Sequence, residues 1–292
     1  MTTPSTLPSW REGPAKAAIL EFVQRVTRPG ERHVPPQERV AAFDNDGTLW
    51  CEKPYYVQAD FFFRRWREMI EADPSRAGEQ PYRALVEGDS EWLAHIYDHE
   101  PELIRGATDA YGGITTDAFE EAVRAFFETA RHPSLDVPYT NVTYRPMCEL
   151  VAFLEANDFR VYICSGGGRD FIRPVSERLY AIPRERVIGS SIAIEYRDGD
   201  LYRVAGVEQP IDDGPGKPVH VFTRAGYKPL LAGGNADGDI PMLETARLGI
   251  LVRHDDPERE FAYDEGAEQA LAEAESRGWI VVSMKRDFRT MF

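Results

Sequence analysis

The sequence predicts an α/β protein, with a parallel sheet covered by helices on both faces and a helical block interrupting this core just after its first strand. Three observations predict it. Short apolar runs alternate with amphipathic segments, which means a parallel sheet rather than hairpins. Several of those runs stop abruptly at polar, glycine-rich loops, as "VAAF" does at Asp44. From Tyr55 to about Asn141 the texture is helical, with no convincing strand.

The elements follow in order. "AKAAILEFVQRVT" places Ala18, Ile19, Phe22, Val23 and Val26 on one helical face. Val40 to Phe43 form the first strand. In the block, "DFFFRRWREMI" and "DAFEEAVRAFFETA" are amphipathic helices, and the second brings Phe119, Val123, Phe126, Phe127 and Ala130 together. Asp117 and Glu120 are expected to form a capping box. Tyr55, Phe61, Phe62, Phe63 and Trp66 are expected to be the block's own core. Arg64, Arg65 and Arg67 read as a solvated helix face. Then come a helix over "YRPMCELVAFLEAN", a strand over "FRVYIC" ending at Ser165, and a helix after Gly168. "SIAIEYRDGDLYRVA" reads as a hairpin turning at Asp198-Gly199. "KPLLAGG" and "LGILV" are strands separated by a helix through Met242, and "WIVVSM" is the last strand. There are no internal repeats.

The 292 residues suffice for a core plus an insert, and 42% hydrophobic with 28% charged residues is ordinary globular composition. The net charge of -15 without a basic run argues against nucleic acid, whose phosphates need a basic footprint. An anionic ligand therefore needs a locally placed lysine or a metal. No apolar stretch approaches the ~20 residues that span a bilayer, so no membrane partner is expected. The start, "MTTPSTLPSW", does not read as a signal peptide. Cys51, Cys148 and Cys164 are odd in number and form no CxxC, which fits buried thiols in a reducing cytoplasm. The oligomeric state is not legible.

Open parallel sheets bind ligands beyond the carboxyl ends of their strands. Three strands here end in Asp44-Asn45-Asp46-Gly47-Thr48, in Ser165-Gly166-Gly167-Gly168, and in Gly233-Gly234-Asn235-Ala236-Asp237-Gly238-Asp239. A fourth loop, "DDGPGKP", carries Lys217. Two acid clusters at one edge repel unless a cation sits between them. A lysine and a nest of glycine amides suit an anion. Together these groups describe a phosphate site. His95 and His99 have the i, i+4 spacing of a zinc pair, but no HExxH or third ligand accompanies them, so a surface or half-buried pair is expected. Arg169 reads either as an anion binder or as the partner of an acid.

"DNDGT", "CSGGG", "GPGKP" and "GNADGDIPML", in that order, resemble the four motifs of the haloacid dehalogenase (HAD) superfamily, most closely its phosphoserine-phosphatase-like branch. The resemblance covers nearly the whole chain after Pro36. It implies a Rossmann-like, HAD-like core from residues 1–54 and 141–292, and a helical cap from residues 55–140. It implies a Mg²⁺-dependent phosphatase that hydrolyses a small phosphorylated metabolite, a phosphomonoester, through an aspartyl-phosphate. In that reading Asp44 is the nucleophile, Asp46 the general acid and base, and Lys217 neutralises charge between nucleophile and phosphate. Thr48, Ser165, Gly166 and Gly167 bind phosphate. The metal ligands are Asp44, the Asp46 carbonyl, Asn235 and Asp239, the last either ligating directly or orienting a metal-bound water or Lys217, with Asp237 outside the ligand set. Dehalogenase members lack the second acid and transport ATPases carry Thr there, so Asp46 favours a phosphatase. Two departures stand out. Asn235 occupies the slot of a ligand aspartate, and Glu52 is shifted by one residue from the substrate-reading Glu of phosphoserine phosphatases. The alternatives are a phosphotransferase or mutase using the same intermediate, and a non-catalytic module that binds a phosphate ligand.

Overall fold

A computed structural model describes residues 6–208 and 211–292. Its strands are β1 (Val40–Phe43), β2 (Arg160–Gly168), β3 (Val187–Ser190), β4 (Ile192–Arg197), β5 (Asp200–Val207), β6 (Leu231–Gly234), β7 (Leu248–Asp255), β8 (Ala262–Tyr263) and β9 (Ile280–Ser283). Its helices are α1 (Pro14–Thr27), α2 (Val57–Ala72), α3 (Tyr82–Glu87), α4 (Ser90–Ala94), α5 (Glu100–Tyr111), α6 (Thr116–Thr129), α7 (Arg145–Glu155), α8 (Arg169–Tyr180), α9 (Gly216–Ala225), α10 (Ile240–Thr245), α11 (Glu268–Arg277) and α12 (Met284–Asp287).

Seven strands form the main sheet in the order β3-β2-β1-β6-β7-β8, with β9 also pairing β7. All pairings are parallel except that of β8. The predicted α/β class with a Rossmann-like core is the observed one. β1 lies between β2 and β6, and period-two alternation splits its side chains between two cores. Val40 and Ala42 join Val221, Met242, Leu243 and Ala270 of α9, α10 and α11. Ala41 and Phe43 face the other layer, with Ile19, Leu150 and Ile172 of α1, α7 and α8.

The second core runs on into the helical block. Phe61, Phe62, Phe63 and Trp66 are buried there, as expected, and the Phe61 ring stacks on Tyr111 at 4.8 Å between centroids. Arg64 pairs with Asp60, and Arg65 with Glu68 on the surface.

Several sequence readings need correction. The N-cap of α6 is Thr115, whose hydroxyl accepts from the Ala118 amide at 3.1 Å; Glu120 turns outward to Arg124 and Arg184, so Asp117 and Glu120 form no capping box. β2 continues past Ser165 to Gly168 because the short β3, which the sequence reading missed, pairs with it across a register shift. Lys217 sits in the first turn of α9 rather than in a loop. The β4–β5 hairpin turns where expected. Asp198 and Gly199 both have positive φ, 51° and 92°, as a tight two-residue hairpin turn requires. His95 ends α4 and His99 precedes α5, so the two do not share a helix; His99 stacks on Trp92 at 4.7 Å.

Candidate active site

The loop after β1 is folded tightly by its own backbone. The Asp44 amide donates to the Gly233 carbonyl at 2.9 Å, extending the β1–β6 ladder. The Asn45 carbonyl then accepts from the amides of Thr48, Leu49 and Trp50 at 3.2, 2.8 and 3.2 Å. Gly47 makes the reversal with φ 71°, and a Cβ there would collide with the Asn235 amide group. The result turns Asp44 and Asp46 toward one cavity of about 130 Å³, lined also by Glu52, Gly166, Gly167, Lys217 and Asn235.

Lys217 is the hub. Its Nζ donates to Asp44 Oδ1 at 2.8 Å and to Asp239 Oδ1 at 2.6 Å. The other oxygen of Asp239 accepts from the amides of Asn235 and Ala236 at 2.9 and 3.1 Å. Asp239 is thus fully engaged in fixing Lys217 and the loop after β6. Asp46 Oδ1 accepts from Trp50 Nε1 at 2.7 Å, and its Oδ2 receives the Ser165 hydroxyl at 3.4 Å. The Gly167 amide reaches back to Ser165 Oγ at 3.1 Å. Thr48 is fully buried and does not line the cavity; it donates to Asn235 Oδ1 at 3.0 Å.

Burial dominates the electrostatics. It lifts Asp44 well above the usual carboxylate range, against the pull of the Lys217 ammonium. Burial likewise pushes Asp46 up to about 6; the Trp50 hydrogen bond opposes this and the Glu52 charge adds to it. Burial works against charge on Lys217 too, but Asp239 and Asp44 outweigh it and hold the ammonium well above the ordinary lysine value.

The donor set fits a hard cation. Asp44, the main chain of Asp46 and the Asn235 amide supply oxygens only, the preference of Mg²⁺. The Asn235 oxygen has a second lone pair beside the one Thr48 uses. The carboxylates of Asp44, Asp46, Asp239 and Glu52 outnumber the single ammonium around the cavity, so added positive charge is complementary. Among the described residues no group of three His, Cys, Asp or Glu is arranged for a metal, so a cation here depends on amide and main-chain oxygens.

A second cavity of about 230 Å³ adjoins the first, and Gly166, Gly167 and Asp213 line both. Its far wall comes from the helical block and the hairpin. Gln58 Oε1 accepts from the Gly168 amide at 2.7 Å, tying the first turn of α2 to the end of β2. Arg169 does not reach an anion site; it pairs with Asp170 and Glu208 and donates to Ser191.

Sequence reasoning missed a buried network behind the first loop. Glu52 accepts from Tyr263 OH at 2.5 Å and from Asn235 Nδ2 at 3.2 Å. His254 bridges Glu260, at 3.2 Å, and the Gly47 carbonyl, at 2.8 Å. Tyr144 and Cys51 also donate to Glu260. The signal was faint. Glu52 follows the first motif closely, but His254, Glu260 and Tyr263 lie in an unremarkable stretch. The three cysteines are free; burial raises their thiols, Cys148 to about 11.

No curated protein matches the chain by sequence. Two solved structures resemble it over most of its length. One is a protein of unknown function from Bordetella pertussis Tohama I, at 16% identity over 84% of this chain and 98% of that one, with a TM-score of 0.53. The other is a conserved, functionally unknown protein from Anaerococcus prevotii DSM 20548, at 17% identity over 94% of each chain, with a TM-score of 0.59. A phosphoserine phosphohydrolase-like protein from Francisella tularensis subsp. tularensis SCHU S4 aligns at 16% identity over 85% of this chain and 95% of that one, with a TM-score of 0.45. The family profile for haloacid dehalogenase-like hydrolases matches residues 41–244, which include every loop of the cavity. With that match over most of its length and the fold to go with it, the chain belongs to the haloacid dehalogenase-like hydrolase family.

Proposed function

We propose that the protein is a Mg²⁺-dependent phosphatase that hydrolyses a small phosphomonoester through an aspartyl-phosphate. The observation that carries this reading is the meeting of Asp44, Asp46 and Lys217 at one cavity whose other wall is Gly166 and Gly167. Asp44 attacks phosphorus, forming an acyl phosphate as the bond to the leaving oxygen breaks. Asp46 gives its proton to that oxygen, and its value near 6 keeps part of it protonated close to neutral pH. It then takes a proton from the water that attacks the intermediate, which releases phosphate and restores the Asp44 carboxylate. Lys217 keeps Asp44 oriented and offsets charge building on the phosphoryl oxygens. Ser165 and the Gly166 amide hold those oxygens, the Gly167 and Gly168 amides being engaged with Ser165 and Gln58. Asp44, the Asp46 carbonyl and Asn235 would hold a Mg²⁺ ion, which would supply further charge neutralisation at the phosphoryl group. Asp239 and Thr48 are positioning residues, for Lys217 and Asn235 respectively.

Residues 55–140 form the cap over this site in the same reading, and residues 1–54 and 141–292 the core. The support is the cavity that Phe62, Leu103 and Phe119 share with the end of β2. The β4–β5 hairpin goes with the cap. The Gly113 amide donates to the Arg203 carbonyl at 2.7 Å, and the Arg203 amide to Ile114 at 2.9 Å. The test is release of inorganic phosphate from a generic aryl phosphate with Mg²⁺, for the wild type and for Asp44→Asn. No release by the wild type overturns the reading. Transfer of phosphate to an added alcohol instead of water would replace it with a phosphotransferase.

A further inference from the structure

We propose that the cavity beneath the helical block takes the uncharged, largely hydrocarbon leaving group of a phosphomonoester, an aromatic or branched alcohol of about six to ten carbon atoms. This rests on the phosphatase reading and names the substrate class of that site.

Continuity gives the occupant. Gly166 and Gly167 line both the acid cavity and this chamber, so a phosphate held at the Gly166 amide points its ester group into the chamber. Apolar side chains make most of the wall. Phe62 and Ala107 come from α2 and α5, Phe119 from α6, and Phe171 from α8, all buried, while Leu103 and Ile104 stand half-buried beside them. The size is restrictive. A protein cavity of about 150 Å³ takes up benzene, so 230 Å³ holds a ring with a short substituent or a branched chain.

The buried charges of the wall cluster around Asp170, and Arg203 Nε is left without a hydrogen-bond partner. Asp170 faces Arg169 at 3.2 Å, Arg173 at 3.2 Å and Arg203 at 3.6 Å. The Arg203 guanidinium lies 3.6 Å over the Phe119 ring. Glu100 and Asp213 are exposed, at the rim. An amino acid or second phosphate on the leaving group would be desolvated against a mostly apolar wall. A hydrocarbon group loses only water. Each added methylene is then worth severalfold in kcat/KM.

The test is kcat/KM with Mg²⁺ for ethyl, butyl, hexyl and 2-phenylethyl phosphates, against O-phosphoserine and glycerol phosphate. Alkyl leaving groups of similar basicity hold the chemical step nearly constant. The expected result is a rise of at least tenfold from ethyl to hexyl, with both polar esters at least tenfold below hexyl. Ala107→Trp, which fills the chamber, and Ile104→Asn, which makes its wall polar, should each lower the hexyl-to-ethyl ratio at least fivefold. Two variants guard against one failing to fold. A flat series, a preference for the polar esters, or a ratio that neither folded variant moves overturns the chamber assignment and leaves the phosphatase reading standing. If no ester is turned over, the phosphatase reading falls instead. Calorimetric binding of hexylphosphonate against ethylphosphonate then decides the chamber, and equal affinities overturn it.

Discussion

At the scale of single residues, the proposed mechanism divides two tasks between Asp44 and Asp46, and their surroundings differ accordingly. Asp44 accepts from Lys217, whereas Asp46 accepts from Trp50 and Ser165 with its value raised to about 6. Asp44→Asn is expected to lower turnover by about three orders of magnitude or more, with the melting temperature little changed, because an amide is a poor nucleophile. Residual activity above one per cent in a homogeneous sample would reject the nucleophile. Asp46→Asn should cost about 10²- to 10⁴-fold on alkyl phosphates and much less on aryl phosphates, whose leaving groups need no proton. The pH profile carries a sign. The donor is protonated Asp46, so kcat on an alkyl phosphate should fall as pH rises above about 6, and Asp46→Asn should lack that limb. A rate on alkyl phosphates that is flat between pH 6 and 8 contradicts the assignment. That these two acids meet at one cavity was legible in the sequence because they follow the end of a strand at a two-residue spacing. The partner of Thr48 was not legible. A hydroxyl next to a phosphate motif reads as a phosphate ligand, and only the fold reveals that it donates to Asn235.

At the scale of elements, the chain entering the helical block is tied to the chain leaving it by the Cys51 amide on the Val142 carbonyl at 3.0 Å and, just inside the block, by His132 on Lys53. His132 Nε2 lies 2.7 Å from the Lys53 carbonyl, while Nδ1 accepts from the amides of Ser134 and Leu135 at 3.3 and 3.1 Å. This pattern fixes the neutral tautomer, with the proton on Nε2. Burial holds the ring below its ordinary value, against the Lys53 carbonyl and the charges of Glu260 and Asp60, which raise it. The folded state therefore binds its proton at lower pH than the unfolded chain does. As pH falls below about 6.5 the unfolded state gains protons first, and stability is lost until the folded value is reached. His132→Gln, which does not titrate, should be less stable at neutral pH by about 1 kcal/mol and should lose less on going from pH 7.5 to 5.5. Denaturant midpoints at the two pH values measure it; parallel pH dependence in both proteins would show that the loss arises elsewhere. Nothing in the sequence announced this clamp, because its partners are backbone groups and the one that joins the crossings, Lys53, is 79 residues away.

At the scale of the whole molecule, the order of strands and the helical block were legible because period-two and period-3.6 patterns do not depend on distant partners. β3 escaped notice because it is four residues long and joins the sheet only through β2. The network of Glu52, Asn235 and Tyr263 escaped because chain segments some 180 to 210 residues apart build it. That network bears on the metal. The Asn235 amide nitrogen faces Glu52 while its oxygen faces Thr48, so an aspartate there would set one carboxylate against another. Asn235→Asp is therefore expected to melt lower than the wild type without divalent cation and to gain more from it. Mass action sets the scale. A ligand at ten times its Kd stabilises by about 1.4 kcal/mol. For a chain of this size that is about 2–4 °C in melting temperature. The wild type should rise by that amount on saturation with Mg²⁺ at constant ionic strength, Asn235→Asp by more, and Asp44→Ala not at all. Constant ionic strength matters because a chain of net charge -15 gains from any cation that screens self-repulsion. An equal rise in Asp44→Ala and the wild type would place the Mg²⁺ on the general surface and remove Asp44 from the ligand set.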